Sequence, residues 1–73
     1  MKHPKFVICI DNAEYPASLE RRKIYRVVAD PEALSLGQFR VIDESGEDYL
    51  YPASCFVDVD LPDETEAAVF KAA

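Results

Sequence analysis

Short stretches of apolar residues, each bounded by turn-forming residues, recur along the chain and predict five β-strands. The predicted strands span residues 6–10, 23–29, 39–43, 48–51 and 56–61. In the first strand, alternation places Phe6, Ile8 and Ile10 on one face. Val7 and Cys9 lie on the other face. Because both faces are apolar, we expect this strand to be central or covered on both sides.

The last predicted strand alternates between two sets of side chains. These are Val57, Val59 and Leu61 on one side, and Phe56, Asp58 and Asp60 on the other. We therefore expect the two acids to lie on a face that is turned to solvent.

Turn-forming residues define the shorter connections. A tight hairpin with Gly46 at a positive φ is predicted after the third strand. Asp30 and Pro31 predict the cap and the first residue of a short helical turn. Pro52 cannot donate to a strand ladder, so it is expected to end the fourth strand and begin a 3₁₀ turn over residues 52–55.

Residues 11–22 form a longer connection without a sustained apolar period. Tyr15 and Leu19 are its large side chains, and we expect them to anchor it to the core. A connection of this length in a small domain is typical of a functional or hairpin-type loop.

The C-terminal twelve residues predict a helix. Pro62 suits the first helical position, acids are concentrated in the first turns and Lys71 lies in the last turn, as the helix dipole favours. Phe70 and Ala73 contribute to a narrow apolar stripe. A helix this short needs packing to be stable. Two alternatives stay open: a fraying tail, or a lid over one mouth of a barrel with Phe70 as its anchor.

The length of 73 residues allows one small domain. Five short strands, a long early loop, a tight hairpin and a 3₁₀ turn before the last strand predict a five-stranded antiparallel SH3-like barrel with a short C-terminal helix. The barrel would cover residues 6–61 and the helix or tail residues 62–73. A barrel of this size fills its interior with side chains.

Three stretches carry a resemblance to known proteins. Residues 50–57, Leu-Tyr-Pro-Ala-Ser-Cys-Phe-Val, are similar to the Tyr-Ile-Pro-Ser-Asn-Tyr-Val segment that closes SH3 domains. Residues 22–27 (Arg-Lys-Ile-Tyr-Arg-Val) and 40–54 (Arg-Val-Ile-Asp-Glu-Ser-Gly-Glu-Asp-Tyr-Leu-Tyr-Pro-Ala-Ser) resemble a set of small uncharacterised bacterial proteins with SH3-like barrels. The resemblance covers about residues 6–61 and implies the fold without implying an activity.

The chain departs from peptide-binding SH3 domains in the residues that line their groove. It has no Trp, it lacks an Ala-Leu-Tyr-Asp-Tyr segment in the first strand, and Cys55 stands in the place of the groove Tyr. Since those domains bind polyproline on an aromatic-lined groove, polyproline recognition is not expected here.

Charge narrows the range of partners. The formal net charge is −6, and residues 37–73 hold nine of the 14 acids but only two of the eight basic residues. An acidic chain repels phosphate backbones, which disfavours nucleic acid. The alternative function is nevertheless that of a weak nucleic-acid or ribonucleoprotein binder. It would use the one basic cluster: Arg21, Arg22, Lys23 and Arg26.

The side chains that perform catalysis or hold metals are few. Cys9, Cys55 and His3 do not have the paired spacing of a zinc site, and we expect both cysteines to be buried thiols. His3 lies at the N-terminus, away from any nucleophile in an ordered segment. We therefore expect no metal, no cofactor and no enzymatic activity.

Four tyrosines suggest a binding surface. We expect Tyr25 and Tyr51 in the core, with their hydroxyl groups at the surface. Tyr15 on the long loop and Tyr49 near the hairpin are expected to form a docking patch with Pro52, beside the acids Glu14, Glu47 and Asp48.

These observations favour a non-enzymatic protein-binding or adaptor module with an unidentified protein partner. An accessory subunit of a larger complex is a third alternative. No apolar run is long enough to cross a membrane, so a cytoplasmic protein is expected, and the resemblance implies a bacterial one. Exposed sheet edges allow either a monomer or a weak homodimer.

Overall fold

The computed structural model of the chain describes residues 4–71. Within them the chain forms five strands, two α-helices and a 3₁₀ turn. In chain order these are β1 (Phe6–Cys9), β2 (Ile24–Val28), α1 (Pro31–Ser35), β3 (Gln38–Ile42), β4 (Asp48–Pro52), the 3₁₀ turn (Ala53–Cys55), β5 (Phe56–Val59) and α2 (Asp63–Lys71). Every predicted strand is present, with ends that differ from the prediction by at most two residues. His3 and Ala73 lie outside the described residues, as does the side chain of Lys71.

The strands form one antiparallel sheet in the order β4-β3-β2-β1-β5. β1 lies between β2 and β5, which confirms its predicted central position. The mainly β class, the 3₁₀ turn and the C-terminal helix are confirmed as well. Within residues 4–71 no ladder joins β4 to β5, so the sheet keeps two edges and is not a closed barrel.

The core lies on one face of this sheet. Val7 and Cys9 of β1 point into it, as do Tyr25 of β2 and Tyr51 of β4. Leu19, on the loop between β1 and β2, is almost completely buried among them, as predicted. The loop therefore closes over one side of the core. It does not extend into solvent.

The face that β5 turns to the core differs from the prediction. Phe56 lies opposite Cys9 across the ladder and is buried in the core, and Asp58 lies opposite Val7 on that same face. Val57 therefore lies on the outer face, opposite Ile8. The orientation predicted for Phe56 and Val57 was wrong, because burying the larger Phe56 ring decides how the strand is turned. Asp58 and Asp60 are exposed, as expected, with Asp58 at the margin of the core.

Helix α1 begins as predicted. The Oδ1 of Asp30 accepts the backbone N–H of Ala33 at 3.0 Å, and Pro31 occupies the first turn. The Oδ2 of Asp30 also accepts Nε of Arg40 at 2.9 Å. The Ala33 amide, and then Arg40, hold the pKa of Asp30 below its ordinary value. The cap thus fastens α1 to β3.

Helix α2 packs on the outer face of the sheet. Phe70 stacks on the ring of Phe6, with 5.0 Å between ring centroids. Phe6 points away from the core, because it alternates with Val7. Phe70 is therefore the anchor, as expected, but the helix does not cover a barrel mouth. No helix within residues 4–71 is long and apolar enough to span a membrane.

The first testable consequence concerns the left-handed backbone of Arg22. Arg22 has φ of 69°, a conformation that costs a residue with a Cβ about 1 kcal/mol, and its N–H donates to the Cys9 carbonyl at 2.8 Å. Arg22→Gly is expected to raise the free energy of unfolding by up to about 1 kcal/mol, measured by urea denaturation. The matched control Arg21→Gly, where φ is not positive, should give no gain. A loss of stability in Arg22→Gly would contradict this.

Candidate binding groove

Asp43 and Glu44 follow β3 and begin the hairpin. Because Asp43 continues the inward face of Phe39 and Val41, its side chain is 7% exposed. A buried carboxylate must be hydrogen-bonded. Its Oδ2 accepts the hydroxyl of Tyr51 at 2.5 Å, and its Oδ1 accepts the amide and hydroxyl of Ser45 at 2.8 and 2.6 Å.

These hydrogen bonds decide the charge of Asp43. Burial alone would raise the pKa of Asp43, but the hydrogen bonds from Ser45 and Tyr51 outweigh it and hold the pKa below its ordinary value of 3.8. Burial, followed by the bond to Asp43, raises the pKa of Tyr51. At neutral pH the hydroxyl of Tyr51 therefore stays protonated and donates, and the carboxylate of Asp43 stays ionised and accepts. The hydroxyl of Tyr51 was expected at the surface and is instead buried.

Glu44 ties the hairpin to the loop between β1 and β2. It accepts Nζ of Lys23 at 2.7 Å and the hydroxyl of Tyr25 at 2.5 Å, and these two bonds lower its pKa. The oxygen of that hydroxyl accepts the backbone N–H of Glu20 at 2.7 Å. The N–H of Glu44 itself donates to the carbonyl of Ser18 at 3.0 Å. Hairpin and loop are thus held as one unit.

The loop between β1 and β2 presents Tyr15 above Tyr51. The amide group of Asn12 donates to the carbonyl of Leu19 at 2.9 Å, and the carbonyl of Tyr15 accepts the N–H of Ser18 and of Leu19. The ring of Tyr15 meets that of Tyr51 edge to face, with centroids 4.9 Å apart. The position of Tyr15 is therefore set by the folded loop and by the core beneath it.

A surface groove runs between this loop and the hairpin. Its cavity volume is about 430 Å³. We call it the tyrosine groove, and its lining residues are Tyr15, Ser18, Asp43, Ser45, Tyr49, Leu50 and Tyr51. Tyr49 is 51% exposed, and its hydroxyl donates to Oε2 of Glu47 at 3.2 Å. Two predicted residues, Tyr15 and Tyr49, thus line one groove, with Glu47 at its rim.

Two other predicted residues do not belong to the groove. Asp48 and Pro52 lie on β4 beside Tyr49 and Tyr51, but neither is a lining residue. Asp48 instead lies 3.8 Å from a guanidinium nitrogen of Arg40. Glu14 is exposed on the loop, next to Tyr15.

Sequence reasoning missed the polar part of the groove, formed by Ser18, Asp43 and Ser45. Alternation in β3 was a usable signal for Asp43, since it stands two residues beyond Val41 on an inward face. Nothing in the local pattern indicated Ser18, which reaches the groove only because the loop folds back onto the hairpin.

Two members of the basic cluster already have partners. Lys23 is paired with Glu44, and the guanidinium group of Arg26 lies 3.9 Å from Glu66. Arg21 and Arg22 are exposed. The cluster therefore offers less free positive charge than its sequence indicates.

The groups suited to nucleophilic or metal chemistry are limited among residues 4–71. Cys9 and Cys55 are free and buried, as predicted, and burial raises the pKa of both thiols. Within this part of the chain, no three His, Cys, Asp or Glu side chains are grouped so that they could hold a metal ion. A thiol with a raised pKa is a poor nucleophile at neutral pH.

Neither a family model, nor a curated protein, nor a solved structure matches the chain. The tyrosine groove brings together residues from separate segments, and Tyr51 within it is held by a buried hydrogen bond to Asp43. Its geometry is the basis for a functional proposal.

The second prediction tests the buried bond between Tyr51 and Asp43. Tyr51→Phe removes one donor from a buried carboxylate, and we expect a loss of about 1.5–3 kcal/mol in the free energy of unfolding, measured by urea denaturation. Tyr49→Phe is the matched control, since its hydroxyl is exposed and should be removable without measurable change. Equal stability of the two variants would contradict the role assigned to Asp43.

The third prediction concerns pH. Asp43 and Glu44 have pKa values in the folded chain below their ordinary values of 3.8 and 4.5. The unfolded chain therefore binds more protons in acid, so their stabilisation is complete above about pH 5 and is lost as the pH falls through the folded-state values. Denaturation midpoints measured from pH 6 to pH 3 should decrease, and Tyr51→Phe should reduce this dependence. Denaturation midpoints that stay constant between pH 6 and pH 3 would contradict this prediction.

Proposed function

We propose that this protein is a non-enzymatic protein-binding module whose tyrosine groove takes a basic, extended segment of a partner protein. The observation that carries the proposal is the meeting of Tyr15 and Tyr49 in one groove. They are distant in sequence. Tyr15 packs on the buried ring of Tyr51, and Tyr49 is placed by the β3–β4 ladder, opposite Val41. A preorganised pair of aromatic side chains binds a partner with little loss of conformational entropy.

Charge around the groove supports a basic occupant. Glu47 lies at the rim, Asp43 is ionised beneath the floor, and Glu14 stands on the loop beside Tyr15. A Lys or Arg side chain would be attracted by these three carboxylates and by the faces of the Tyr rings, which bind cations. An acidic segment would be repelled by the same groups.

The chemistry of the groove favours binding over catalysis. Both oxygens of Asp43 accept hydrogen bonds, from Ser45 and Tyr51, and its lowered pKa makes this carboxylate a weaker base than a free one. The two thiols are buried in the core and are not directed into the groove.

Part of the same proposal is that the open five-stranded sheet has an SH3-like arrangement and that the chain acts as an adaptor in a bacterial cytoplasm. The strand order β4-β3-β2-β1-β5, the long loop after β1 and the 3₁₀ turn before β5 support the SH3-like assignment. Free cysteines support a reducing compartment. SH3-like barrels bind ligands on the loops beside the sheet, and the proposed position of the binding groove rests on this analogy between folds.

The fourth prediction uses selection from a random-peptide display library on the folded chain. Selected peptides should be enriched in Arg and Lys, because of the acidic rim, and should bind Tyr49→Ala at least about tenfold more weakly than the wild type in calorimetry. Tyr49 is the preferred site for substitution because its side chain is half exposed and is not part of the core.

Leu36→Ala provides the control. Leu36 is the most exposed large apolar side chain in the described residues, and it follows α1 at the opposite end of β3 from the groove. Its substitution should leave peptide affinity unchanged. Selection of acidic peptides, equal binding to the Tyr49 and Leu36 variants, or no selection at all would refute the proposed function.

A further inference from the structure

The side chain of Phe6 lies on the outer face of the sheet and is buried there. It is 1% exposed, yet it does not belong to the core cluster that includes its neighbour Val7. Because the two residues alternate along β1, Phe6 faces away from that core. The ring of Phe70 lies over it, with planes inclined at 21° and centroids 5.0 Å apart. Helix α2 therefore supplies a cover for an apolar position on the outer face.

A cation completes this contact. Arg26 lies opposite Phe6 in the ladder, and its guanidinium carbon is 5.7 Å from the Phe6 centroid and 5.0 Å from the Phe70 centroid. Glu66 accepts Nζ of Lys5 at 3.1 Å and lies 3.9 Å from Arg26. Glu66 and Phe70 are four residues apart, so they share one face of α2. The outer face thus receives an acid and an aromatic side chain one helical turn apart.

The remainder of α2 is scarcely engaged. From Asp63 to Phe70 every side chain except Glu66 is exposed, and Phe70 itself is 37% exposed. A helix of nine residues has little stability of its own. Its attachment therefore depends on two side chains.

The outer face extends beyond the area that α2 covers. Val57, Ile8 and Ile24 lie side by side across β5, β1 and β2, and Val57 is 46% exposed. Phe70 and Ile24 help to line a cavity of about 470 Å³, and Phe6 and Asp58 help to line another of about 420 Å³. An occupant larger than α2 would bury more apolar surface here.

We propose that the outer face of β5, β1 and β2 is a second docking site, and that it takes a helix of a partner protein with a Glu and a Phe four residues apart. Helix α2 occupies the site within the same chain and shows what chemistry it accepts. Lys5 and Arg26 both contact Glu66 of α2, and they would attract an acid at the same position of a partner helix. The partner binds by displacing α2, so the two helices compete.

The test uses the full chain and, as its probe, a synthetic peptide with the sequence of residues 62–71. Phe70→Ala in the chain weakens the internal competitor, so this variant should bind the probe about tenfold more tightly than the wild type. Amide resonances of β1, β2 and β5 should shift on binding. A probe that itself carries Phe70→Ala should not bind, and adding Arg26→Gln to the variant chain should remove the gain.

Two controls keep the result interpretable. Val69→Ala, at an exposed neighbouring position of α2, should bind the probe as the wild type does. Glu66→Gln weakens the attachment of α2 by removing its ion pairs alone. It should therefore bind the probe more tightly than the wild type, as Phe70→Ala does. This variant tests the proposal even if Phe70→Ala fails to fold. Equal affinity of all chains, or shifts confined to the tyrosine groove, would overturn the proposal. A concentration-dependent dimer of the Phe70→Ala chain without probe binding would also overturn it, by assigning the face to a second copy.

Discussion

An ionised carboxylate within so thin a core needs donors on several sides, and the arrangement around Asp43 follows from that need. The hairpin supplies Ser45 and β4 supplies Tyr51, so the turn geometry and the strand register must be right together. Glu44 repeats the arrangement one residue later with Tyr25 and Lys23, and thereby fixes the neighbouring loop. The tyrosine groove is the surface above this network, so the same hydrogen bonds that stabilise the fold also set the position of the proposed binding residues.

The second constraint is the double-sided character of β1. A central strand of four residues presents Val7 and Cys9 to the core and Phe6 and Ile8 to the opposite side. Burying only one of these sets would leave a large apolar face in water, which costs free energy in proportion to its area. Helix α2 relieves this exposure in part. The chain consequently has two different surfaces. The tyrosine groove is polar and aromatic, whereas the outer face of the sheet is apolar and carries the cation of Arg26.

The elements with strong local signals could be predicted from the sequence. Gly46 has φ of 83° in the hairpin, Asp30 caps α1, and the 3₁₀ turn follows Pro52. The orientation of β5 could not, because alternation separates two sets of residues without saying which set faces inward, and Phe56 outweighs Val57. In the groove, Tyr15 and Tyr49 were predicted together, whereas Ser18 depends on the fold of a loop that has no periodic pattern. The open edges of the sheet depend on long-range pairing, which local residues do not encode.

The two cysteines give the fold a built-in reporter. Cys9 lies on the central strand and Cys55 ends the 3₁₀ turn, and burial raises the pKa of both thiols. A thiol-specific reagent reaches such groups only when the molecule opens, so the labelling rate follows the frequency of opening around each cysteine. Comparing the two rates would show whether β1 and the 3₁₀ turn open in one cooperative step or separately, without any substitution in the sequence.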